Sequence, residues 1–301
     1  MGRVLVLLFT IYLIMGGGLL SCKSSHDRDG LNILEDQYGI IGGSEVATMD
    51  SISKFVVKIH VYSLKKIGDP KPDNFYLCTG IIIDEYHILT AGHCVYREEP
   101  GEIKTGNTNS TVAEGAKAKE ILAAEVYFNN SNVTEASSKT NKIFAKSVSV
   151  HPNYSFYRLR FFDLAVLELF EKIPSTALPI EFLPYSIELK EGDQLTVLGY
   201  GSKVDYGISS SSTLAKAENI PIQSDEGTNF LLDQKNGKGI CSGDSGGPAV
   251  YLYQGKYYLV GINQGVVVLN KNSDSKGTCK SASSVVKAQT FKSWILKQIS
   301  N

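Results

Sequence analysis

Neither sign of charge is in excess in this chain: 30 lysines and arginines stand against 31 aspartates and glutamates, a net charge of -1 over 301 residues. The electrostatic footprint of a nucleic-acid surface is therefore missing, and no polyanionic partner is indicated. No C-x-x-C pair occurs among the five cysteines. His93 beside Cys94 cannot easily turn both side chains onto one ion, so no metal is expected and no cofactor is implied. There is no internal repeat. The apolar run at 4–15 is too short and too poorly flanked for a membrane span. Prolines are few, nine against 28 glycines, which suggests many tight glycine turns between short strands.

What is present begins with an export signal: Arg3, the apolar run, Gly16-Gly17-Gly18 and then Leu19-Leu20-Ser21-Cys22. The last four residues resemble a bacterial lipobox, in which the cysteine becomes the lipidated first residue of the exported protein. This divides the chain into a lipoprotein-type signal peptide (1–21), a polar tether or propeptide (22–39) and one large domain (40–301). Lys23 is not aspartate, so the resemblance points to an outer membrane in a two-membrane bacterium and to the cell surface in a one-membrane one. An ordinary secretory leader is the alternative. Cys78, Cys94, Cys241 and Cys279 remain, an even number in an oxidising compartment, and read as two disulfides.

From Ile40 onward short β-rich runs recur, at 55–61, 76–83, 147–150, 164–169, 194–198, 249–253 and 257–262. Strands separated by turns without helical periods favour an all-β barrel or sandwich. The exception is the end of the chain, where Phe291, Trp294, Ile295 and Ile299 suggest an amphipathic helix. Residues 97–142 read as an elaborated surface loop, with a strand or short helix at 117–126. Residues 201–213 read as an exposed loop.

Gly243-Asp244-Ser245-Gly246-Gly247-Pro248 supplies a candidate nucleophile, backbone donors and an acidic neighbour. A serine hydroxyl needs an adjacent base, and His93 follows an apolar strand-like run at a point where a strand should end. A third group must hold the histidine in one tautomer. Asp163 is the strongest candidate, because Phe162 precedes it and Leu164-Ala165-Val166-Leu167 follow it, and a carboxylate in such surroundings needs a partner. His26, His60 and His87 have no such support and are expected to be surface or satisfied histidines.

Together these segments resemble the trypsin/chymotrypsin family of serine endopeptidases. Thr90-Ala91-Gly92-His93-Cys94, Phe162-Asp163-Leu164-Ala165-Val166-Leu167 and Cys241-Ser242-Gly243-Asp244-Ser245-Gly246-Gly247-Pro248 are similar to its three motifs, in its order. His151-Pro152-Asn153-Tyr154 and Leu259-Val260-Gly261-Ile262 are similar to flanking segments. The resemblance implies two antiparallel six-stranded β-barrels with the active site between them and a C-terminal helix. It implies Ser245 as nucleophile, His93 as base and then acid, Asp163 as the orienting carboxylate, and the N–H groups of Gly243 and Ser245 as the oxyanion hole. Disulfides Cys78–Cys94 and Cys241–Cys279 are implied in the same way.

Ile40-Ile41-Gly42-Gly43 resembles the family's mature N-terminus, whose freed ammonium pairs with the aspartate before the nucleophile, here Asp244. Gly39 before that bond departs from the family's arginine or lysine, so the activating protease should not be trypsin-like. Gly239 stands at the base of the primary pocket, and with Ile240 it implies apolar rather than Arg or Lys specificity. Asn263-Gln264-Gly265-Val266 departs from the family's serine, tryptophan and glycine and leaves open whether Gly265 or Val266 forms the pocket wall. The expected partners are a protein or peptide substrate, the activating protease and, before activation, a membrane through lipid on Cys22; a monomer is expected. Asn109, Asn129, Asn132 and Asn153 begin N-x-Ser/Thr sequons and should mark exposed loops. The alternatives are a non-catalytic surface binding protein on the same scaffold and a serine esterase, the latter disfavoured because His93 and Asp163 both precede Ser245.

Overall fold

Two closed six-stranded antiparallel β-barrels and a C-terminal helix make up the computed structural model, which describes residues 40–64, 74–96, 121–128, 141–154, 162–201, 213–267, 279 and 281–300. The leader, Cys22, the tether, His26, Asn109, Asn129 and Asn132 lie outside the described residues. Among the described residues no helix is long and apolar enough to cross a membrane.

The first barrel is built from β2 (Val56–Leu64), β3 (Asn74–Ile82), β4 (His87–Thr90), β5 (Ile121–Tyr127), β6 (Lys142–Val150) and β7 (Ala165–Leu169). Its order is β2-β3-β4-β7-β6-β5, closed by the pairing of β5 with β2. Strand alternation explains the packing: Val57, Ile59 and Val61 are fully buried, whereas Lys58, His60 and Tyr62 turn to the other face. Where a strand or a short helix was expected at 117–126 the structure has the strand β5, whose buried Ala124 and Val126 complete the barrel.

The second barrel uses β8 (Gln194–Gly199), β9 (Ala215–Asp225), β10 (Asn229–Asp233), β11 (Pro248–Tyr253), β12 (Lys256–Val267) and β13 (Ala282–Lys287), with the short β1 (Ser44–Glu45) added outside β9. β9, β10 and β13 had no strand signal in the sequence, and the structure shows why. In β9 the buried positions are Ala215, Ala217, Ile220 and Ile222, so alternation slips between 217 and 220. The register against β8 shifts there, and Asn219 adopts a left-handed φ of 63°. An inserted bulge residue has broken the period of two. β13 is masked differently, because it buries Ser283 and Ser284 beside Val285 and Val286.

A single turn of helix, α1 (Gly92–Val95), follows β4, and α2 (Ala288–Ile299) ends the described chain. α2 buries Phe291 and Ile295 as its spacing predicts. Its Phe291 and Trp294 rings meet His151, which also stacks on Phe162 with ring centroids 5.0 Å apart. The last helix of the chain thus braces the turn that precedes Asp163. The ends of the expected exposed loop at 201–213 prove otherwise: Gly201 and Thr213 are both buried, the first because its N–H is used inside the site described next.

Candidate active site

The strand β4 delivers Thr90 to the seam, and the chain then turns through α1, which presents His93. Asp163 lies just before β7 and is completely buried, although Phe162 ahead of it holds a left-handed φ of 62°. Its carboxylate grips the histidine twice. Oδ1 accepts the backbone N–H of His93 at 2.8 Å, and Oδ2 lies 2.8 Å from Nδ1 of the same residue. With Nδ1 so engaged, Nε2 is the nitrogen left to exchange a proton. Gly92 suits this approach, since a Cβ there would stand 3.2 Å from Asp163 Oδ1.

Ser245 sits on the turn between Cys241 and β11. Its carbonyl accepts the N–H of Thr79 at 2.8 Å, and the next N–H, of Gly246, donates to Asn263 at 2.7 Å. β3 of the first barrel and β12 of the second therefore both hold the turn. The Ser245 hydroxyl donates to the carbonyl of Gln264 at 3.3 Å, and Cys94 Sγ lies 3.7 Å from the Ser245 carbonyl, which brings the His93 turn against the serine turn. Gly243 has a φ of 93°, a conformation suited to glycine, and its N–H and that of Ser245 are carried by peptides separated by the one that joins Gly243 to Asp244.

Asp244 is completely buried. Oδ1 accepts the N–H of Gly201 and Oδ2 that of Cys241, each at 2.8 Å. The backbone N–H of Ile40 reaches the same carboxyl. Burial pushes Asp244 up to about 7, against the pull of these three donors, because none of them carries a full positive charge. Ile40 itself is buried and left-handed, with φ 68°, an unfavourable conformation for a β-branched residue. Ile41 exchanges two 3.0 Å backbone hydrogen bonds with Gly239, so the segment expected to be a mature N-terminus lies against the segment expected to floor the pocket.

Around that floor, Ile240 is fully buried and Cys241 is bonded to Cys279, as Cys78 is to Cys94. Gly239 has a φ of 147°, and a Cβ built on it would lie 2.2 Å from the Gln234 side chain. Gln234 is fully buried and satisfied: Nε2 donates to the carbonyls of Ile240 and Cys279, and Oε1 accepts the N–H of Ile240. Val266 packs against Ile41, Cys241 and Cys279, while Gln264 is bulged between the paired residues Asn263 and Gly265. Asn263 donates from Nδ2 to the carbonyl of Leu198 at 3.0 Å.

His87 pairs with Asp84 at 2.8 Å, His60 lies against the Tyr127 ring at a tilt of 47°, and Asn153 is exposed, all away from this site. His93 and the sulfurs of Cys78 and Cys94 offer atoms within 4.8 Å of one another, but both sulfurs are spent in the disulfide and have no thiolate to give a metal. Sequence reasoning missed Thr79, Gln234 and Gly201. Thr79 directly follows Cys78 and Gly201 ends a Gly-Tyr-Gly stretch, both readable as close-approach signals; Gln234 carried none.

A protein-family model described as Trypsin matches residues 40–295. The phenoloxidase-activating enzyme of Bombyx mori is 27% identical over 248 residues, 74% of this chain and 53% of that protein, so the chain spans about half that relative's length. Trypsin-1 of Astacus astacus is 27% identical over 202 residues, 63% of this chain and 76% of its own. Among solved structures, one of HL collagenase superposes with a TM-score of 0.63 at 18% identity, covering 87% of this chain and 99% of the other; at that identity it speaks for the fold.

Proposed function

The chain belongs to the trypsin family of serine-type endopeptidases, which are hydrolases, and on that premise we propose that it cleaves protein or peptide substrates through an acyl-enzyme on Ser245. The observation that carries the reading is the double hold of Asp163 on His93, through Nδ1 and the backbone N–H. It keeps the proton on Nδ1 and leaves Nε2 basic.

In the reaction, Ser245 Oγ leaves the Gln264 carbonyl and attacks the scissile carbonyl carbon while its proton passes to His93 Nε2. The oxyanion is received by the N–H groups of Gly243 and Ser245. Collapse breaks the C–N bond, and His93 returns the proton to the departing amine. Water then attacks the acyl-enzyme, losing its proton to His93, which hands it back to Ser245. Asp163 stabilises the imidazolium in both halves.

We further propose that the enzyme is made as a zymogen and activated by cleavage between Gly39 and Ile40. Support comes from Ile40 N–H already lying on the buried, uncompensated Asp244: cleavage would turn this amide into an ammonium at the same carboxyl. The apolar preference is supported by Gly239, where neither the backbone nor Gln234 leaves room for a carboxylate to balance a substrate cation. The two disulfides fit an exported protein. A lipid on Cys22 would anchor the precursor at a bacterial outer membrane or cell surface, and activation would release the domain to the periplasm or extracellular space. The test is N-terminal sequencing of exported protein combined with fluorophosphonate labelling. A labelled species beginning at Ile40, and no label on Ser245→Ala, is the expected result. Unlabelled protein beginning at Ile40 would instead indicate a non-catalytic binding protein on this scaffold.

A further inference from the structure

The geometry points to Thr79 as a positioning residue for the oxyanion site, an inference that rests on the roles proposed above for Gly243 and Ser245. Thr79 lies on β3 of the first barrel, immediately after Cys78, and is completely buried. All of its polar groups are spent at the seam. Its N–H donates to the carbonyl of Ser245 at 2.8 Å, and its own carbonyl accepts the Thr90 hydroxyl at 2.9 Å. Its hydroxyl does two things at once: it donates to the carbonyl of Gly243 and accepts the N–H of Tyr200, each at 3.0 Å. A hydroxyl can do both because it carries one proton and two lone pairs.

The consequence lies in which peptide is held. The carbonyl of Gly243 belongs to the peptide joining Gly243 to Asp244. The N–H of that peptide donates to the carbonyl of Cys241 at 3.2 Å. This plane is thus pinned at both ends, by Thr79 on one side and Cys241 on the other. It is also the middle one of three consecutive peptides, whose outer two carry the N–H groups of Gly243 and Ser245. Because peptides are planar, fixing the middle one leaves only the dihedrals at Gly243 and Asp244 to aim those donors. Glycine is the residue least able to hold its own dihedrals, so an external pin has most effect here. Thr90, which bonds the Thr79 carbonyl, stands two residues before Gly92-His93, so Thr79 links the oxyanion turn, through its hydroxyl, to the strand that delivers the base, through its carbonyl.

The test compares Thr79→Val, which keeps the shape and removes the hydroxyl, with Thr79→Ser, which keeps the hydroxyl. Both are made in protein beginning at Ile40, with rates per fluorophosphonate-titrated site on a peptide ester. Losing an oxyanion donor outright costs about 100- to 1,000-fold in kcat; mis-aiming donors that are still present should cost a fraction of that. We expect Thr79→Val to lower kcat about tenfold or more with KM within twofold. Affinity for a peptide aldehyde, which forms a tetrahedral adduct, should fall in parallel. Thr79→Ser should restore both. A purely structural role would lower the titrated fraction and the melting temperature while leaving kcat per site unchanged, and that result overturns the assignment. So does a loss shared equally by kcat and KM, or one that Thr79→Ser fails to rescue. Should Thr79→Val not fold, Thr79→Ala, which adds no bulk beside Gly243, carries the same comparison. If the wild type neither labels nor turns over, the enzymatic reading falls and the Thr79 role with it; if the wild type is active and Thr79→Val matches it, the Thr79 role alone falls.

Discussion

Asp244 in the uncut chain is a carboxyl with three amide donors and no cation, and this makes the stability of the precursor depend on pH in a way that can be computed in advance. Burial raises its pKa from 3.8 to about 7. The folded state therefore keeps a proton that the unfolded state releases, so the contribution to stability is fully present below the unfolded value and is lost as pH rises through the folded one. About three units at 1.36 kcal/mol each give a total on the order of 4 kcal/mol, of which about 2–3 kcal/mol is lost between pH 5 and pH 8. Two histidines run the other way. His60, lowered to about 4 chiefly by burial, and His151, lowered by burial, each add stability as pH rises toward their unfolded values. The clean measurement is therefore a difference: denaturant unfolding of uncut Ser245→Ala protein with and without Asp244→Asn, from pH 5 to pH 8. The histidines are common to both proteins and cancel. The Asn side chain loses one acceptor, which shifts the absolute value but not the slope. We expect the Asp244 protein to lose about 2–3 kcal/mol relative to Asp244→Asn over that interval. A difference that does not change with pH would refute the reasoning, since it would mean that Asp244 finds a compensating charge before any cut. In protein beginning at Ile40 the new ammonium should abolish this loss and move the pH dependence to the titration of the amine.

Gly239→Asp should fail to create cleavage after Arg or Lys, because its Cβ would overlap the Gln234 side chain and the backbone there has a φ of 147°. It should instead destabilise the domain by about 1–3 kcal/mol, measured by thermal or denaturant unfolding. Phe291→Ala should cost about 3–5 kcal/mol of stability, as large aromatic truncations in cores do. Since Phe291 meets His151 and Phe162, 5.3 and 5.6 Å away between centroids, it should also lower kcat more than it raises KM by loosening the turn that holds Asp163. Unchanged kcat per titrated site would show that the Asp163 turn is held without the helix.

How much of this was legible beforehand differs by element. The strands with regular alternation, such as β2, could be read directly, and the terminal helix announced itself through Phe291, Trp294 and Ile295. β9 could not be read, because the bulge near Asn219 shifts the apolar positions out of step, and β13 buries serines where a propensity argument wants aliphatics. The unsettled choice of pocket wall has a structural source as well. Gln264 is bulged out of the β12–β13 register between Asn263 and Gly265, which a residue count along the motif does not reveal, and Val266 packs against the cluster of Ile41, Cys241 and Cys279.

The sequence by itself determined which groups could do chemistry. A serine among glycines, a histidine after an apolar run and an aspartate between apolar residues are local statements about reactivity and burial, and each is written in adjacent residues. What only the tertiary structure decided is how those groups are held. Asp163 grips a histidine 70 residues away, Thr79 pins a peptide 164 residues away, and Gln234 fills the space beside Gly239 through bonds to Ile240 and Cys279. The first and last of these contacts depend on the closure of each barrel on itself and the second on the packing of one barrel against the other, and no local pattern encodes which buried threonine or glutamine will face which distant carbonyl.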